Sequence, residues 1–414
     1  MSELQPVRGT HDLLPDEMRR HRRVSEAARL AAECFGFLEM ATPIFEFSDV
    51  FKRTLGDTSD IVTKEMYTFT DRGGETITLR PEGTAGVARA LISGGLAQHL
   101  PLKYFYSGPM FRYERPQKGR LRQFHQTGIE LLGVKEPLGD VEVIATGAEF
   151  LRRIGAWDRS QLEINTLGDT ESRQNYRKVL VEYLSQHRER LSAESLDRLE
   201  RNPLRILDSK DRGDQAIVAG APVYTDYLNQ ASRDFFERVK DGLATLGIGF
   251  VVNPRLVRGL DYYCHTCFEV TCEELGAQKT ILAGGRYDGL VGMMGGSETP
   301  GVGWASGIER CAMLLKEAPA ARRPIALVPL GERAEKAALK LAGDLRRADF
   351  AVDLGFGGNM SKRMKRADKV GATVAVILGD NELDQNKATV KNLGSGEQTS
   401  VALDKLADAL DAYR

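Results

Sequence analysis

Apolar positions outline the chain before any chemistry enters. After Pro15, Val24, Ala28, Ala31 and Phe35 recur at helical spacing and Gly36 follows, which predicts a helix from about Asp16 lying on an apolar surface. Strand patterns come next, at 75–80 and 102–112, the second carrying Tyr104, Phe105 and Tyr106. From about 170 to 247 the sequence changes to long, charged, helix-forming runs such as 176–184, and this stretch is expected to be a helical insertion. Strand patterns resume at 249–252, continue through 262–272 and end in the glycine-rich stretch 283–307. A small, polar, proline-bearing seam follows at 317–324. Beyond it, 325–328, a helical run from about 332 to 347, 351–354, a second helical run to 369 and 373–378 alternate as strand and helix. Two domains are expected: 1–322, carrying the insertion at about 170–247, and an α/β domain over 323–414.

Composition narrows the class. A chain of 414 residues, 42% hydrophobic and 28% charged, has enough apolar material for more than one core. It has no run of about 18 apolar residues, so no membrane span is expected. The start, Met1 to Pro6, lacks the basic and apolar regions of a secretory signal, and the expected location is cytoplasmic. Five cysteines, Cys34, Cys264, Cys267, Cys272 and Cys311, are too sparse for a disulfide framework and read as reduced thiols. With a net charge of −1 and a pI of about 6.6, any RNA contact must come from local basic patches.

One such patch lies at 111–126. An aromatic strand enters a Pro/Gly loop bearing Arg112, Arg115, Lys118, Arg120 and Arg122, then returns as a second strand. Guanidiniums bind phosphates in a bidentate way, so a strand-anchored Arg112 suits a fixed phosphate and the loop a larger anion; a bare charge run is ordinarily a solvated hairpin. On the returning strand Gln126, Gly128 and Glu130 share one face, with Thr127, Ile129 and Leu131 on the other. The polar face offers an amide, a gap and a carboxylate to a small polar ligand. Glu82 and Thr84, at a strand-to-helix turn, suit an ammonium group, although the same residue types also start helices. Gly301, Gly303, Ala305 and Gly307 fall on one strand face as a smooth floor for a nucleotide, and Arg310 follows in the first turn of a helix. Their spacing matches neither a Walker loop nor a dinucleotide fingerprint. Cys264, His265 and Cys267 invite a metal reading, but an extended strand points Cys264 and Cys267 to opposite faces, which favours structural cysteines. His11 and His125 stand alone and suit structural or hydrogen-bonding roles.

These segments carry a family resemblance. The strand-loop-strand with Phe111-Arg112-x-Glu114 resembles motif 2 of class II aminoacyl-tRNA synthetases, and Gly307-Ile308-Glu309-Arg310 resembles motif 3. Pro43 resembles the motif 1 proline, which in that class sits at a dimer interface. Arg258-Gly259-Leu260-Asp261-Tyr262-Tyr263 and Ala283-Gly284-Gly285-Arg286-Tyr287-Asp288 are similar to the two signatures of the histidyl-tRNA synthetase family. The resemblance extends over nearly the whole chain. It implies an α+β catalytic domain, with an antiparallel sheet flanked by helices, and a C-terminal α/β anticodon-binding domain. It further implies a homodimer whose substrates are ATP with Mg²⁺, L-histidine and tRNA(His), with no structural zinc. By that resemblance Arg112 and Arg310 hold ATP phosphates, Glu114 contacts the adenine end, and Arg258, catalytic with Arg112, stabilises charge on the α-phosphate. Glu82, Thr84, Gln126 and Glu130 hold histidine in a pocket lined by Tyr262, Tyr263 and Tyr287, while Arg115, Gln117, Lys118, Arg120 and Arg122 meet tRNA. A regulatory paralogue, the non-catalytic, histidine-sensing subunit of ATP phosphoribosyltransferase, is the alternative; it generally lacks the C-terminal domain and parts of the signatures that this chain has.

Overall fold

A computed structural model describes residues 3–55, 61–257 and 262–414. Its contacts divide the chain into two compact units, Met1–Pro319 and Ala320–Arg414.

In the first unit the strands are β1 (Leu38–Glu39), β2 (Phe45–Phe47), β3 (Tyr67–Thr70), β4 (Thr76–Leu79), β5 (Leu102–Phe111), β6 (Gln123–Leu132), β7 (Gln161–Thr166), β8 (Val251–Val252), β9 (Cys264–Thr271), β10 (Thr280–Arg286) and β11 (Gly301–Gly307). Eight of them form one sheet in the order β1-β5-β6-β11-β10-β9-β7-β8, antiparallel throughout its centre and parallel only at the two short edges. β2, β4 and β3 form a separate small antiparallel sheet.

Helices cover the sheet because their apolar stripes match it. α1 (Pro15–Cys34) starts on a proline, whose missing N–H costs nothing at that position, and buries Val24, Ala27, Ala28, Ala31 and Ala32 against α4 (Pro137–Arg153) and β6. Its end is set by Gly36, whose positive φ of 77° ordinary residues avoid. Ile129, Leu131, Val302, Trp304, Leu282 and Phe268 fill the same core from the sheet side. β10 is pinned to the start of α4 by Arg286, fully buried, which donates to Asp140 and to the carbonyls of Val134 and Glu136. Removing one partner of such a buried pair costs about 3–5 kcal/mol, so this signature arginine serves the fold.

The stretch from 170 to 247 is helical as expected, but it serves two cores. α5 (Thr170–Gln186), α6 (Ala193–Arg201) and α7 (Arg212–Val218) gather around Tyr176, Leu180, Leu184, Leu199 and Ile217. Each is capped by its preceding side chain, Asp169, Ser192 and Asp211, worth about 0.5–2 kcal/mol per helix. α8 (Gln230–Thr245) instead returns Phe236, Val239 and Leu243 to the main core beside α4.

The second unit runs β12 (Ile325–Pro329), α11 (Glu332–Arg347), β13 (Val352–Leu354), α12 (Met360–Lys369), β14 (Val374–Leu378), β15 (Lys387–Asn392) and β16 (Gln398–Ala402). The strand order is β13-β12-β14-β15-β16, parallel over the first three and antiparallel over the rest. The alternating pattern anticipated the parallel half; the β15–β16 pair adds a hairpin. Of the five basic residues of α12, Arg363 is buried against the carbonyl of Gly358 and Arg366 is fixed by both oxygens of Asp353, which leaves Lys362, Lys365 and Lys369 exposed.

Candidate active site

β6, β11 and β10 form the floor of a cavity of about 580 Å³ in the first unit, and β5 backs it. Its inner end is built from carboxyls and phenols. Glu130, buried on β6, accepts hydrogen bonds from Thr84 Oγ1 at 2.6 Å and from the Tyr287 hydroxyl. Burial pushes the Glu130 carboxyl up to about 8, against the opposing pull of those two hydrogen bonds. Glu82 accepts from the backbone N–H groups of Thr84 and Ala85 at 2.6 and 2.9 Å, so it caps the helix α3 (Thr84–Ser93) while it lines the cavity. Burial raises its pKa as well, more than these N–H groups lower it. Tyr262 and Tyr263 pack ring to ring at 4.6 Å and close this end with Tyr287. Among the described residues the side-chain carbonyl of Gln126, buried in the same cavity, has no hydrogen-bond partner.

At the outer end arginines converge. Arg112 donates to the carbonyl of Pro81 at 2.8 Å with its guanidinium 5.3 Å from the Phe124 ring. Arg310, on the helix α10 (Ile308–Met313), donates to the carbonyls of Thr280 and Gly119 and to Gln278. Burial, then Arg120, disfavours the charge on Arg310. Glu114 faces these cations, 2.5 Å from Arg120 and 3.9 Å from Arg112. Three guanidiniums around one carboxylate leave a surplus of positive charge suited to a polyanion. Lys210, Arg255 and Lys279 add further cations to the lining.

The family model described as histidyl-tRNA synthetase matches residues 9–311, and the anticodon binding domain model matches 325–413. A histidine–tRNA ligase of Rhodospirillum rubrum is 61% identical over 414 residues, all of both chains. The chain belongs to the histidyl-tRNA synthetase family. Another histidine–tRNA ligase, from Gluconobacter oxydans, is 55% identical over the full length of both chains. The apo histidyl-tRNA synthetase of S. aureus superposes with a TM-score of 0.83 at 34% identity, covering 98% of this chain and 99% of that one.

Within this synthetase fold the structure places the remaining expected residues. Arg258 lies outside the described residues. The hairpin from Arg112 to Arg122 divides: Arg115, Gln117 and Lys118 are exposed at its tip, whereas Arg120 folds inward onto Glu114 and Arg122 stacks 3.8 Å from the Tyr113 ring. Only the tip is presented to a large anion. The gap at Gly128 is filled by Tyr106 of β5, paired opposite it, so no ligand enters there; a Cβ on Gly128 would lie 2.6 Å from the Trp304 carbonyl oxygen. Gly301 and Gly303 are used the same way, against the Tyr287 ring and the Glu130 carboxylate, and the open floor is Ala305 and Gly307.

Cys264 and Cys267 correct an assumption. The strand is not extended between them: His265 has a φ of 42°, and the register shifts so that Arg286 pairs with Cys264 but Gly285 with Cys267. Burial pushes the Cys264 thiol up to about 12, and its sulfur accepts the N–H of Asp288. Among the described residues, the group of three with metal-ligating atoms close together is His21, His125 and Glu309, where Glu309 accepts the His125 backbone N–H and pairs with its Nδ1 at 2.9 Å. This contact fastens β6 to α10. The sequence reading gave no role to Tyr106, Gln278 and Glu309: Tyr106 acts through cross-strand register, Gln278 and Glu309 through contacts with Arg310 and His125 that lie far apart in the chain.

Proposed function

We propose that the cavity activates L-histidine with ATP and delivers it to tRNA(His), the chain acting as a histidine–tRNA ligase. The observation that carries this reading is the lining of the cavity: Arg112, Arg120 and Arg310 together with buried Glu82 and three tyrosines, with Glu130 buried behind Thr84 and Tyr287. Glu82 and Gln126 take the α-ammonium group, and Glu130, held by Thr84 and Tyr287, takes the imidazole N–H. ATP enters with its Mg²⁺ as one substrate. Arg112 and Arg310 take its phosphates, and Arg120 turns from Glu114 toward them, freeing Glu114 for the adenine end. A histidine carboxylate oxygen attacks the α-phosphorus, the bond to the β-phosphate oxygen breaks, and pyrophosphate leaves. Arg258 and Arg112 stabilise the charge that develops on the α-phosphate. A hydroxyl of the 3′-terminal adenosine of tRNA then attacks the acyl carbon, loses its proton, and AMP departs.

Identity of 61% along the full length to a histidine–tRNA ligase supports this activity over that of a regulatory subunit. The tRNA is held at Arg115, Gln117 and Lys118 and, through its anticodon, by the second unit, supported by the anticodon binding domain match. A homodimer is supported by Ile44, Phe45, Phe47 and Phe69, exposed on and beside the small sheet next to Pro43. Among the described residues no helix is long and apolar enough to cross a membrane, and we place the protein in the cytoplasm, where charged tRNA is used.

The two ends are separable by kinetics. A hydrogen bond is worth about 0.5–1.5 kcal/mol between neutral groups and about 1.5–3 kcal/mol to a charged one, or roughly two- to a hundredfold. Arg112→Ala should raise KM for ATP by that factor with KM for histidine nearly unchanged, and Glu130→Gln should do the reverse. Equal effects of both variants on both substrates would refute the assignment.

A further inference from the structure

The second unit holds an aromatic ring in water by a construction that folding alone does not require. Phe356 is 81% exposed, in the loop 355–359 between β13 and α12. That loop is fastened rather than slack. Gly355 N–H donates to the Leu327 carbonyl, buried Arg363 donates to the carbonyls of Gly355 and Gly358, and Asn359 caps α12 by accepting from the Lys362 N–H. The Arg366 guanidinium lies 4.9 Å from the Phe356 ring centroid and is itself clamped by Asp353 at 2.7 and 2.8 Å. One part of the ring therefore rests on a fixed cation, and the rest is open.

The charges nearby select the partner. Asp353 and Glu335 are engaged by Arg366 and Arg363, and Asp368 is the one acidic residue of α12, against exposed Lys362, Lys365 and Lys369. An exposed aromatic backed by a guanidinium and flanked by lysines is the arrangement that binds unpaired bases, with the ring taking the base and the cations taking the backbone. We propose that Phe356 is a stacking platform for an unpaired base of the tRNA anticodon loop. This rests on the assignment of the second unit to the anticodon.

The test uses the full chain. Base–aromatic stacking is worth roughly a tenfold or larger change in affinity. Phe356→Ala and Phe356→Leu should each raise KM for tRNA in aminoacylation by about that factor, leave histidine-dependent ATP–pyrophosphate exchange unchanged, and be rescued by Phe356→Trp. One abasic substitution in the anticodon loop should raise the wild-type KM by the same factor and have no further effect in Phe356→Ala. If wild-type KM ignores every anticodon-loop change, the anticodon assignment fails and takes the proposal with it. If KM responds to the loop but Phe356→Ala matches wild type, the stacking proposal alone falls. Wild-type behaviour of Phe356→Leu, or a KM change that follows subunit dissociation in sedimentation, would place a protein contact there and overturn it as well.

Discussion

Glu130 shows how far a residue's surroundings reset its chemistry. On a strand pattern it could have been an ordinary surface carboxylate, yet it is buried and its carboxyl is pushed up to about 8. Between its ordinary value of 4.5 and about 8 the folded protein keeps a proton that the unfolded chain has released. Stability from this group is therefore fully present below the lower value and is lost as pH rises through the upper one. Glu82, raised by burial too, contributes with the same sign. Glu130→Gln cannot titrate, so its melting temperature should gain on wild type as pH rises from about 5 to about 8. A difference that stays constant with pH would show that Glu130 is already ionised in the fold. The sequence carried the identity of this carboxylate and its face, but the shift needed Thr84 and Tyr287, which arrive from 46 and 157 residues away.

At the scale of elements, the floor of the cavity depends on the close approach of β6 and β11. Gly303 pairs with Glu130, and a Cβ there would overlap both the Glu130 carboxylate and the Ile129 carbonyl oxygen. The carbonyl belongs to the sheet and cannot swing aside. Gly303→Ala should therefore cost about 1–3 kcal/mol of stability through overpacking and raise KM for histidine more than KM for ATP. An unchanged melting temperature together with an unchanged histidine KM would mean that the strands part freely. Period-two alternation put Gly301, Gly303, Ala305 and Gly307 on one strand face as a smooth floor, but did not show that Tyr287 and Glu130 fill the space at Gly301 and Gly303. It gave no sign of the bulge at His265, because even residue types enriched at positive φ, histidine among them, adopt it only uncommonly. Nor could a charge run reveal that Arg363 is buried and Arg366 is tied to Asp353; both depend on carbonyls and carboxylates supplied by other segments.

For the whole molecule, the break in contacts at Pro319 and Ala320 falls inside the proline-bearing seam at 317–324, since few contacts cross such a segment. What stayed hidden was long-range: the return of α8 to the main core, the parallel edges of the large sheet and the β15–β16 hairpin are all set by tertiary pairing. The cavity lies wholly within the first unit, and its two ends make one central claim, that an amino acid with an imidazole side chain is joined there to the α-phosphate of ATP. Amino-acid-dependent exchange of labelled pyrophosphate into ATP measures that step without tRNA. With the purified full chain and each standard amino acid in turn, histidine should support exchange and no other should, because an analogue without the imidazole N–H makes no hydrogen bond to Glu130. Comparable exchange with proline or threonine, or none with histidine, would contradict the account.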